Sequence, residues 1–353
     1  MPELSPLPAN PGVSYVMPVL NEARYLEDAV AAVLGQDYPG PAELVIALAT
    51  SDDGTDEIAA ALAAADSRVK IVQNTGHTIP AGLNAAIAAS QYPVVIRVDA
   101  HSELPDGYTA TMVAALARTG AANVGGTMRA QGRTPFQQAV ARAYNSPFGL
   151  GGGAYHLEAE GEQDSDSAYL GVFRREVLEE VGGYDETLLR AEDWELNSRI
   201  RAAGYRVVQV PGVQVVYWPR ATWTALRKQM YATGVWRGAL VRRQGGTPWR
   251  YLPPPLVVVM LGSCIFLWLA RRVGLFQNAL CAATSKALQL AGWGYFLGVA
   301  GVAATRMPSE NWADKGLNWL ALATMHLSWG TGFIKGWLAG AQPDSDVDRS
   351  RIG

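Results

Sequence analysis

The stretch Val94-Val-Ile-Arg-Val-Asp-Ala-His101 decides the fold, because an apolar run ends there in two side chains that can bind a metal ion. Apolar and β-branched residues as far as Val98 predict a buried strand, with Asp99 and His101 at its carboxyl end. In open α/β sheets, ligands bind just beyond the carboxyl ends of the strands. An aspartate and a histidine two residues apart on an extended chain point to the same side and could share one divalent cation. A surface turn after the strand is the alternative.

Strands and helices alternate in the part of the chain that leads up to this stretch. The predicted strands are Val13–Met17, Glu43–Ala49, Arg68–Val72 and the one that ends at Asp99. A first helix is predicted to begin at Asn21-Glu22, and two more helices are predicted at Glu57–Ala65 and Pro80–Ser90. This alternation predicts βαβ units with right-handed crossovers and a mostly parallel sheet.

The pattern is less regular after the fourth strand. From Gly125 to Gly161 the chain is rich in glycine and weakly periodic, and Gly149–Gly153 suggests a mobile loop. A strand is predicted at Ala168–Phe173, a short helix at Arg174–Val181, and a further helix from Leu196 to Gly204. Arg206–Val210 and Val213–Tyr217 are predicted as two strands that are turned by Pro211-Gly212.

Polar residues follow three of the predicted strands, at Asn21-Glu22, Asp52-Asp53 and Asp99. They are expected to gather along one edge of the sheet, where a ligand would bind. No Gly-x-Gly-x-x-Gly motif and no Walker loop occurs at the first turn, which argues against dinucleotide-binding and P-loop proteins. Helix capping is the alternative role for Asp52 and Asp53, and favourable placement near a helix dipole is the alternative for Glu22.

A second acidic cluster, Glu192-Asp193-Trp194-Glu195, opens a predicted helix. A general base has to be a carboxylate held near the reacting groups in a partly dry cleft, and this cluster could supply it. Trp194 would then provide an apolar wall or a face on which a sugar stacks. Ordinary placement of acids at a helix N-terminus is the alternative.

Charge is distributed unevenly along the 353 residues. The net charge of −3 conceals a stretch from Leu196 to Ser309 that has fourteen Lys or Arg and no Asp or Glu. Such asymmetry predicts contact with anionic lipid or with an anionic substrate. Only two cysteines occur, without metal-site spacing, and a reducing, cytosolic face is therefore expected. The Pro-rich N-terminus does not resemble a signal peptide.

The basic stretch continues into three long apolar runs. Seven cations lie between Arg220 and Arg250 among tryptophan and tyrosine residues, a mixture typical of a membrane interface, although a solvated helical face is the alternative. Leu252–Ala270, Ala287–Thr305 and Leu317–Leu338 follow, and the first, of nineteen residues, would span about 28 Å as a helix. Buried helices of a soluble domain are the alternative. A simple three-span topology would place Arg271, Arg272 and Lys286 on the outer side of the membrane, against the positive-inside tendency. A re-entrant segment, or one that lies along the membrane surface, therefore remains an alternative.

Taken together, five motifs in order resemble those of glycosyltransferase family 2 enzymes of the GT-A fold, over roughly Val13 to Arg243. The motifs are Val16-Met-Pro-Val-Leu-Asn-Glu22, Asp52-Asp-Gly-Thr-Asp56, Pro80-Ala-Gly-Leu-Asn84, Asp99-Ala-His101 and Glu192-Asp-Trp194. The Arg-Val-Asp-Ala-His sequence, together with His326-Leu-Ser-Trp-Gly-Thr-Gly-Phe333, is most similar to the succinoglycan-type, membrane-attached branch. His101 is a departure, because most relatives have a second aspartate there, but imidazole also ligates Mn²⁺.

The resemblance implies a role for each matching residue. Pro18, Glu22, Asp52, Asn84 and Asp99 would bind the nucleotide-sugar donor, and Asp99 and His101 would hold Mn²⁺ or Mg²⁺. Asp193 would be the catalytic base. Glu192, Trp194, Trp236 and Arg237 are candidates for contact with the acceptor or the diphosphate, the last two only by an altered Gln-x-x-Arg-Trp-like segment.

The sequence therefore predicts an α/β protein with a GT-A, Rossmann-like sheet followed by an α-helical membrane region. The expected divisions are a tail (1–12), a catalytic domain (13–219), basic and aromatic interfacial helices (220–251), two or three membrane helices (252–340) and a disordered tail (341–353). An inverting enzyme is expected at the cell membrane, with its catalytic domain in the cytoplasm, moving a sugar from a UDP-hexose to a lipid-linked or polyprenyl-phosphate acceptor. Membrane lipids are expected partners and nucleic acid is not. A nucleotidyltransferase and a non-catalytic membrane scaffold are the alternatives.

Overall fold

Four parallel strands form the first half of the sheet in the computed structural model, which describes residues 2–100, 102, 104–149, 156–157, 160–309 and 311–341. In chain order the elements are β1 (Val13–Val19), α1 (Leu26–Leu34), β2 (Ala42–Leu48), α2 (Thr55–Ala65), β3 (Val69–Gln73), α3 (Ile79–Ala89) and β4 (Val94–Arg97). β1 lies between β2 and β4 and is parallel to both, and β3 lies outside β2. The βαβ pattern predicted from the sequence is confirmed here.

Beyond β4 the sheet becomes mixed. The next elements are α4 (Tyr108–Thr119), β5 (Asn123–Ala130), α5 (Pro135–Tyr144), β6 (Gln163–Asp164), β7 (Tyr169–Arg174), α6 (Arg175–Val181), α7 (Glu192–Ala202) and β8 (Val207–Tyr217). Within the described residues, one eight-stranded sheet has the order β3-β2-β1-β4-β7-β5-β8-β6. β7 is antiparallel to both β4 and β5, and β6 is antiparallel to β8. The predicted α/β class with mostly parallel strands is confirmed.

The two strands predicted at Arg206–Val210 and Val213–Tyr217 are wrong as separate elements, because β8 runs unbroken through Pro211-Gly212. β6 pairs only with Val208 and Gln209, so β8 has no partner from β6 at Pro211. Proline is tolerated in a strand where no ladder hydrogen bond is needed. Gly212, with φ of +75°, supplies the local change of direction without ending the strand.

Both faces of the parallel strands are buried, which explains their continuous apolar sequences. Tyr15 and Ile46 belong to one core layer and Val16 and Val45 to the other, and each is at most 1% exposed. Alternate residues of one strand thus contribute to opposite layers, as the two-residue repeat of a strand requires. The predicted N-terminal tail (1–12) is also tied to the protein: the Ser5 hydroxyl donates to the Glu176 carboxylate over 2.8 Å.

The chain divides into two units that interleave in sequence. One unit, the sheet unit, comprises residues up to 129 and 153–217, and the other, the helical unit, comprises 130–152 and 218–345. The second therefore includes α5 together with α8 (Trp223–Gln244), a 3-10 turn (Trp249–Tyr251), α9 (Pro253–Arg272), α10 (Ala279–Thr305) and α11 (Trp312–Ala339). The domain boundaries expected from the sequence stay a prediction.

Glycines allow α8 and α11 to pack with their backbones in contact. A Cβ on Gly336 would overlap the Val235 carbonyl group, whose carbon would lie only 2.7 Å away, and a Cβ on Gly332 would lie 3.0 Å from the Tyr231 carbonyl carbon. α5 joins the same unit through Arg142, whose Nε donates to Asn318 Oδ1 over 2.8 Å. Such close approach is what small residues at a helix interface permit.

Two helical segments in the described part of the chain, Trp249–Arg272 and Ala279–Thr305, are long and apolar enough to cross a membrane. Many of their large side chains are exposed, including Phe266 at 62% and Leu280 at 76%. The third predicted run, Leu317–Leu338, lies in α11, which buries Leu322 and Met325 against its neighbours and is not among these two. Beyond residue 341 the predicted disordered tail lies outside the described residues.

Candidate active site

The carboxyl ends of β1, β2 and β4 open on one edge of the sheet, because these three strands are parallel. Asn21 follows β1, Asp52 follows β2 and Asp99 follows β4. The chain passes from β1 outward through β2 and β3 and then returns to β4 on the other side of β1. A crevice forms at such a reversal of strand order, and ligands bind there in open α/β sheets.

Asp52 and Asp53 have different environments in the loop after β2. Asp53 Oδ2 accepts a hydrogen bond from the Ala23 amide (3.1 Å), and Oδ1 accepts one from the Thr55 amide (3.1 Å). Burial alone would raise the pKa of Asp53, but these bonds and that from the Thr55 hydroxyl hold the pKa below its usual value. Asp53 precedes the N-cap residue Gly54 and satisfies the first amide of α2, so it supports the start of this helix in a way close to the capping alternative.

Asp52 is held by its backbone and exposes its carboxylate. Its amide donates to Asn21 Oδ1 over 2.9 Å, and Asn21 itself has a left-handed backbone with φ of +54°. The Glu22 amide in turn donates to Thr55 Oγ1 over 2.8 Å. The loops after β1 and β2 are thus joined, and Asp52 is presented at the edge of the crevice.

Arg97 links three carboxylates at the end of β4. Its Nε lies 3.1 Å from Asp99 Oδ1, its Nη2 lies 3.7 Å from Glu192 Oε1, and its Nη1 pairs with Asp193 Oδ1. The arginine is only 5% exposed. Burial alone would lower its pKa, but Asp193 and Asp99 raise the pKa well above its usual value, so the guanidinium stays charged. The predicted metal ligand Asp99 and the predicted base Asp193 therefore both pair with the guanidinium group of Arg97.

Asp193 is a recessed carboxylate with raised basicity. Burial raises its pKa, Arg97 lowers it, and the neighbouring Glu192 and Asp99 raise it again, with a net rise from 3.8 to about 6. The side chain is nevertheless 35% exposed, so the carboxylate is accessible from solvent. The Tyr184 hydroxyl also donates to Asp193 Oδ1, over 3.4 Å. A carboxylate whose pKa lies near neutral pH is suited to general-base catalysis.

The first turn of α7 is built to present this acid. Ala191, immediately before the helix, has a left-handed backbone with φ of +64°, which is unusual for alanine and marks local strain. Asn197 Nδ2 donates to the Asp193 carbonyl over 2.8 Å, and Asn123 Nδ2 donates to Asn197 Oδ1 over 2.7 Å. The backbone of the turn is therefore anchored to β5.

Trp194 points into the protein. It is 6% exposed, and its indole Nε1 donates to Asp166 Oδ2 over 3.2 Å. An exposed sugar-stacking face, one of the two roles predicted for it, does not fit this burial, and the apolar wall remains as a prediction. Glu195, the last acid of the cluster, pairs with Arg199 and serves the helix itself.

Asn84 is near the crevice but is already engaged. Its Nδ2 donates to the Tyr184 carbonyl and to Glu186 Oε1, each over 2.9 Å, and its Oδ1 accepts from the Tyr184 amide over 2.9 Å. It therefore fixes the loop that carries Tyr184. Pro18 lies in β1 and is half-buried. The donor-binding roles of both residues stay predictions.

Trp236 and Arg237 lie in α8, in the other unit. They are 5% and 9% exposed, and the Arg237 guanidinium lies 4.4 Å from the centre of the Tyr251 ring. Their position is therefore set by packing within the helical unit. Contact of these two residues with acceptor or diphosphate stays a prediction.

The residues at the end of β4 suit a divalent cation only in part on their own. The Asp99 side chain is 21% exposed and offers a hard oxygen ligand. His101 lies outside the described residues, and among those described no group of three or more His, Cys, Asp or Glu is placed to hold a metal ion. Magnesium sites at nucleotides commonly use one or two carboxylates and take further ligands from phosphates and water, a pattern that Asp99 fits.

Two residues of this site were not singled out from the sequence. In the sequence Arg97 stands only as part of the Arg-Val-Asp-Ala-His motif, although a charged residue inside an otherwise apolar buried strand indicates a paired or functional group. Tyr184 gave no local signal, because its contact with Asp193 depends on the loop that Asn84 fixes.

The sheet and its crevice correspond to the GT-A fold of glycosyltransferases. The mannosyltransferase PcManGT from Pyrobaculum calidifontis, solved in complex with GDP-Man and Mn²⁺, matches 96% of this chain and 91% of its own, with a TM-score of 0.58 and 20% identity. The sequence pattern of "Glycosyl transferase family 2" matches residues 14–182.

Succinoglycan biosynthesis protein ExoA from Rhizobium meliloti (strain 1021) is 32% identical over 322 residues, which cover 90% of this chain and 92% of ExoA. The chain therefore belongs to glycosyltransferase family 2, and it is a glycosyltransferase. A dolichyl N-acetyl-α-D-glucosaminyl phosphate 3-β-D-2,3-diacetamido-2,3-dideoxy-β-D-glucuronosyltransferase from Methanococcus voltae is 21% identical, over 73% of this chain and 84% of that protein. The nucleotidyltransferase and scaffold alternatives are set aside by this membership.

Proposed function

We propose that this enzyme transfers a hexose from a UDP-sugar to a hydroxyl of a lipid-linked, polyprenyl-type saccharide, with inversion at the anomeric carbon. The observation that carries the proposal is that Asp99 and Asp193 both pair with Arg97 at the place where the strand order of the sheet reverses. The first acid belongs to the donor side of the crevice and the second is a recessed base. Similar proteins named for succinoglycan biosynthesis and for transfer to a dolichyl phosphate-linked sugar support the acceptor class.

On the donor side, Asp52 and Glu22 would contact the nucleoside, with Pro18 and Asn84 lining the same pocket. Asp99 and His101 would hold Mn²⁺ or Mg²⁺ against the diphosphate. When bound, the divalent cation would offset the negative charge that develops on the leaving diphosphate. The Mn²⁺ and GDP-Man in the structure of the similar mannosyltransferase support a divalent cation for this chain as well.

Asp193 would take the proton from the acceptor hydroxyl as its oxygen attacks the anomeric carbon. The new C–O bond forms on the face opposite to the bond that breaks, and the nucleoside diphosphate leaves with the electron pair of that bond. One displacement of this kind inverts the configuration of the sugar. Glu192 would add negative charge beside Asp193, and the buried Trp194 would form an apolar wall of the turn.

The helical unit would place the enzyme at the cell membrane, with α9 and α10 as a hairpin across it. Arg237, Arg242, Arg243, Arg250, Arg306 and Lys315 lie near the outer ends of the two helices, against Arg271, Arg272 and Lys286 near the turn. Because Lys and Arg are enriched in cytoplasmic segments near membrane helices, the larger group favours a cytoplasmic side for the chain that precedes α9. Trp236 and Arg237 remain acceptor-side candidates.

The proposal is tested by incubating the purified protein, in Mn²⁺, with a panel of nucleotide sugars and a polyprenyl-linked saccharide, and reading products by mass spectrometry. UDP-glucose is the first donor to try. Asp193→Asn is expected to abolish transfer while donor binding stays within a few-fold. Asp164→Asn is the matched control, because Asp164 is an exposed acid that pairs with Arg206 at the sheet edge. Loss of donor binding together with transfer in Asp193→Asn would contradict the role as a base.

The metal assignment has a separate test. Asp99→Ala is expected to remove the dependence of donor binding on Mn²⁺, measured by calorimetry with UDP and with UDP-sugar. The same titration with Asp164→Asn should follow the wild type. Mn²⁺-dependent binding that persists unchanged in Asp99→Ala would refute the assignment.

Membrane orientation is tested by thiol labelling in intact cells, after replacing Cys264 and Cys281 by alanine. Gln277→Cys at the turn between α9 and α10 should react with a membrane-impermeant reagent, and Ser309→Cys after α10 should not. The reverse labelling would contradict the proposed orientation.

A further inference from the structure

The guanidinium of Arg97 has a different carboxylate partner on each nitrogen. Nε faces Asp99, Nη1 faces Asp193 and Nη2 faces Glu192. Because the guanidinium is planar, the directions of these three contacts are fixed relative to one another. The place of the Asp193 carboxylate relative to Asp99 is therefore set by a rigid group, whereas a lysine ammonium at the same place would act as a single point charge.

Arg97 also connects two elements that are far apart in sequence. It stands at the end of β4, whereas Asp193 lies in the first turn of α7, ninety-six residues later. The Arg97 side chain is 6% exposed, so packing restricts it to few conformations. A shift of this side chain would accordingly be passed to the acid it holds.

The other contacts of the turn hold the backbone more than the carboxylate. Asn197 donates to the Asp193 carbonyl, and Tyr184 reaches the carboxylate oxygen only at 3.4 Å. The Asp193 carboxylate is further repelled by the acids Glu192 and Asp99. Arg97 is the cation that opposes this repulsion and gives the carboxylate a defined direction.

We propose that Arg97 is a positioning residue for sugar transfer, which holds the Asp193 carboxylate in line with the acceptor hydroxyl. The inference rests on the proposed function, because it assigns to Arg97 an effect exerted through the base. It touches neither donor nor acceptor in this role. Misplacement of a reacting group by about 1 Å can cost about 10²-fold in rate.

The test replaces Arg97 by lysine, which keeps the positive charge but loses the planar guanidinium group and its fixed contact directions. Arg97→Lys is expected to lower kcat for transfer by about 10²-fold while KM for the donor stays within threefold. Arg199→Lys is the matched control. Arg199 also donates two hydrogen bonds to a carboxylate, that of Glu195, and one to the Val181 carbonyl. Within the described residues, no hydrogen bond or ion pair joins Arg199 to Asp193. This control should lower the unfolding temperature and leave kcat within twofold.

The outcomes separate positioning from a structural role. A kcat for Arg97→Lys within twofold of the wild type would overturn the inference, and so would a loss confined to donor KM. If Arg97→Lys does not fold, Asp193→Glu displaces the carboxylate by one methylene group while keeping its charge; kcat is then expected to fall by about 10²-fold at unchanged donor KM, and an unchanged kcat would overturn the inference. A wild-type enzyme that transfers no sugar would instead refute the proposed function.

Discussion

The contact between α8 and α11 leads to a prediction with opposite signs at two glycines of one helix. Gly316 and Gly336 both lie in α11. A Cβ at Gly316 would meet no atom within 4 Å, whereas a Cβ at Gly336 would overlap the Val235 carbonyl, with the Val235 Cα 2.9 Å away. The same substitution, glycine to alanine, therefore tests packing against intrinsic helix preference.

The magnitudes follow from the geometry. In an exposed helical position alanine is favoured over glycine by about 1 kcal/mol, so Gly316→Ala should stabilise by up to that amount. At Gly336 the helices would have to move apart before an ordinary contact of at least 3.4 Å is restored. Overpacking of this kind costs about 1–3 kcal/mol, which outweighs the gain in helix preference. Because both variants gain the same helix preference, they should differ by the overpacking cost, and the overlap with backbone atoms rather than with a flexible side chain places that cost in the upper half of its range, at about 2–3 kcal/mol.

The assay is thermal unfolding of both purified variants beside the wild type in the same detergent. At about 2–4 °C per kcal/mol for a unit of this size, a separation of about 4–12 °C is expected, with Gly316→Ala above the wild type and Gly336→Ala below it. Equal shifts for the two variants would refute the reasoning, because they would mean that α8 and α11 separate at no cost.

Three further predictions concern residues of the sheet unit. Burial and the neighbouring acids raise the pKa of Asp193, and Arg97 offsets only part of this rise, so the pKa is raised to about 6. The value of kcat/KM for transfer, measured against pH, should therefore fall as the pH drops through about 6, because a protonated carboxyl group cannot act as a base. A profile that is flat to about pH 5 would contradict the role as a base. Burial would raise the pKa of Glu43, but Lys70 and other donors hold this pKa below its usual value. The ionised Glu43 therefore stabilises the fold above the pKa of 4.5 that applies in the unfolded chain, and this stabilisation is lost as the pH falls through the lower pKa of the folded state. Glu43→Gln should cost about 1.5–3 kcal/mol at pH 7 in chemical unfolding and flatten the acid dependence of stability; an unchanged acid dependence would exclude this role. Ala191→Gly should stabilise by about 0.5–1 kcal/mol in the same assay, since relief of left-handed strain (about 1–2 kcal/mol) exceeds the added backbone entropy (about 0.4–1 kcal/mol), and destabilisation would show that the backbone there is unstrained.

The first half of the sheet could be predicted because its signals are local. Continuous apolar runs mark strands buried on both faces, and turn residues separate them from the helices. The weak periodicity from Gly125 to Gly161 did not predict β5, for a physical reason: Gly125 and Gly126 lie inside this strand, where a Cβ would come within 2.8 Å of the Tyr169 carbonyl oxygen and 2.6 Å of the Val213 carbonyl oxygen, respectively. These glycines serve close approach of backbones, which a sequence does not distinguish from a flexible loop. The loop predicted at Gly149–Gly153 lies, apart from Gly149, outside the described residues.

The candidate site shows the same limit. Asp99 and Asp193 could be chosen because each ends or begins an element, where functional acids are expected. Their common partner Arg97 could not be assigned, since the pairing depends on how α7 returns to the end of β4. The distinction between Asp52 and Asp53 likewise needed the backbone of the loop, because both acids have the same local sequence context.

The interleaving of the two units affects how the protein is made. α5 belongs to the helical unit and packs against α11, where its Arg142 donates to Asn318. On the ribosome this helix is completed long before α11 exists, so its apolar face has to wait or be shielded by a chaperone. A shortened chain ending at residue 219 would lack α11 and would leave the side of α5 that packs on it uncovered. We therefore expect the chain cut at residue 219 to aggregate when it is produced as a soluble fragment, unless α5 is also redesigned.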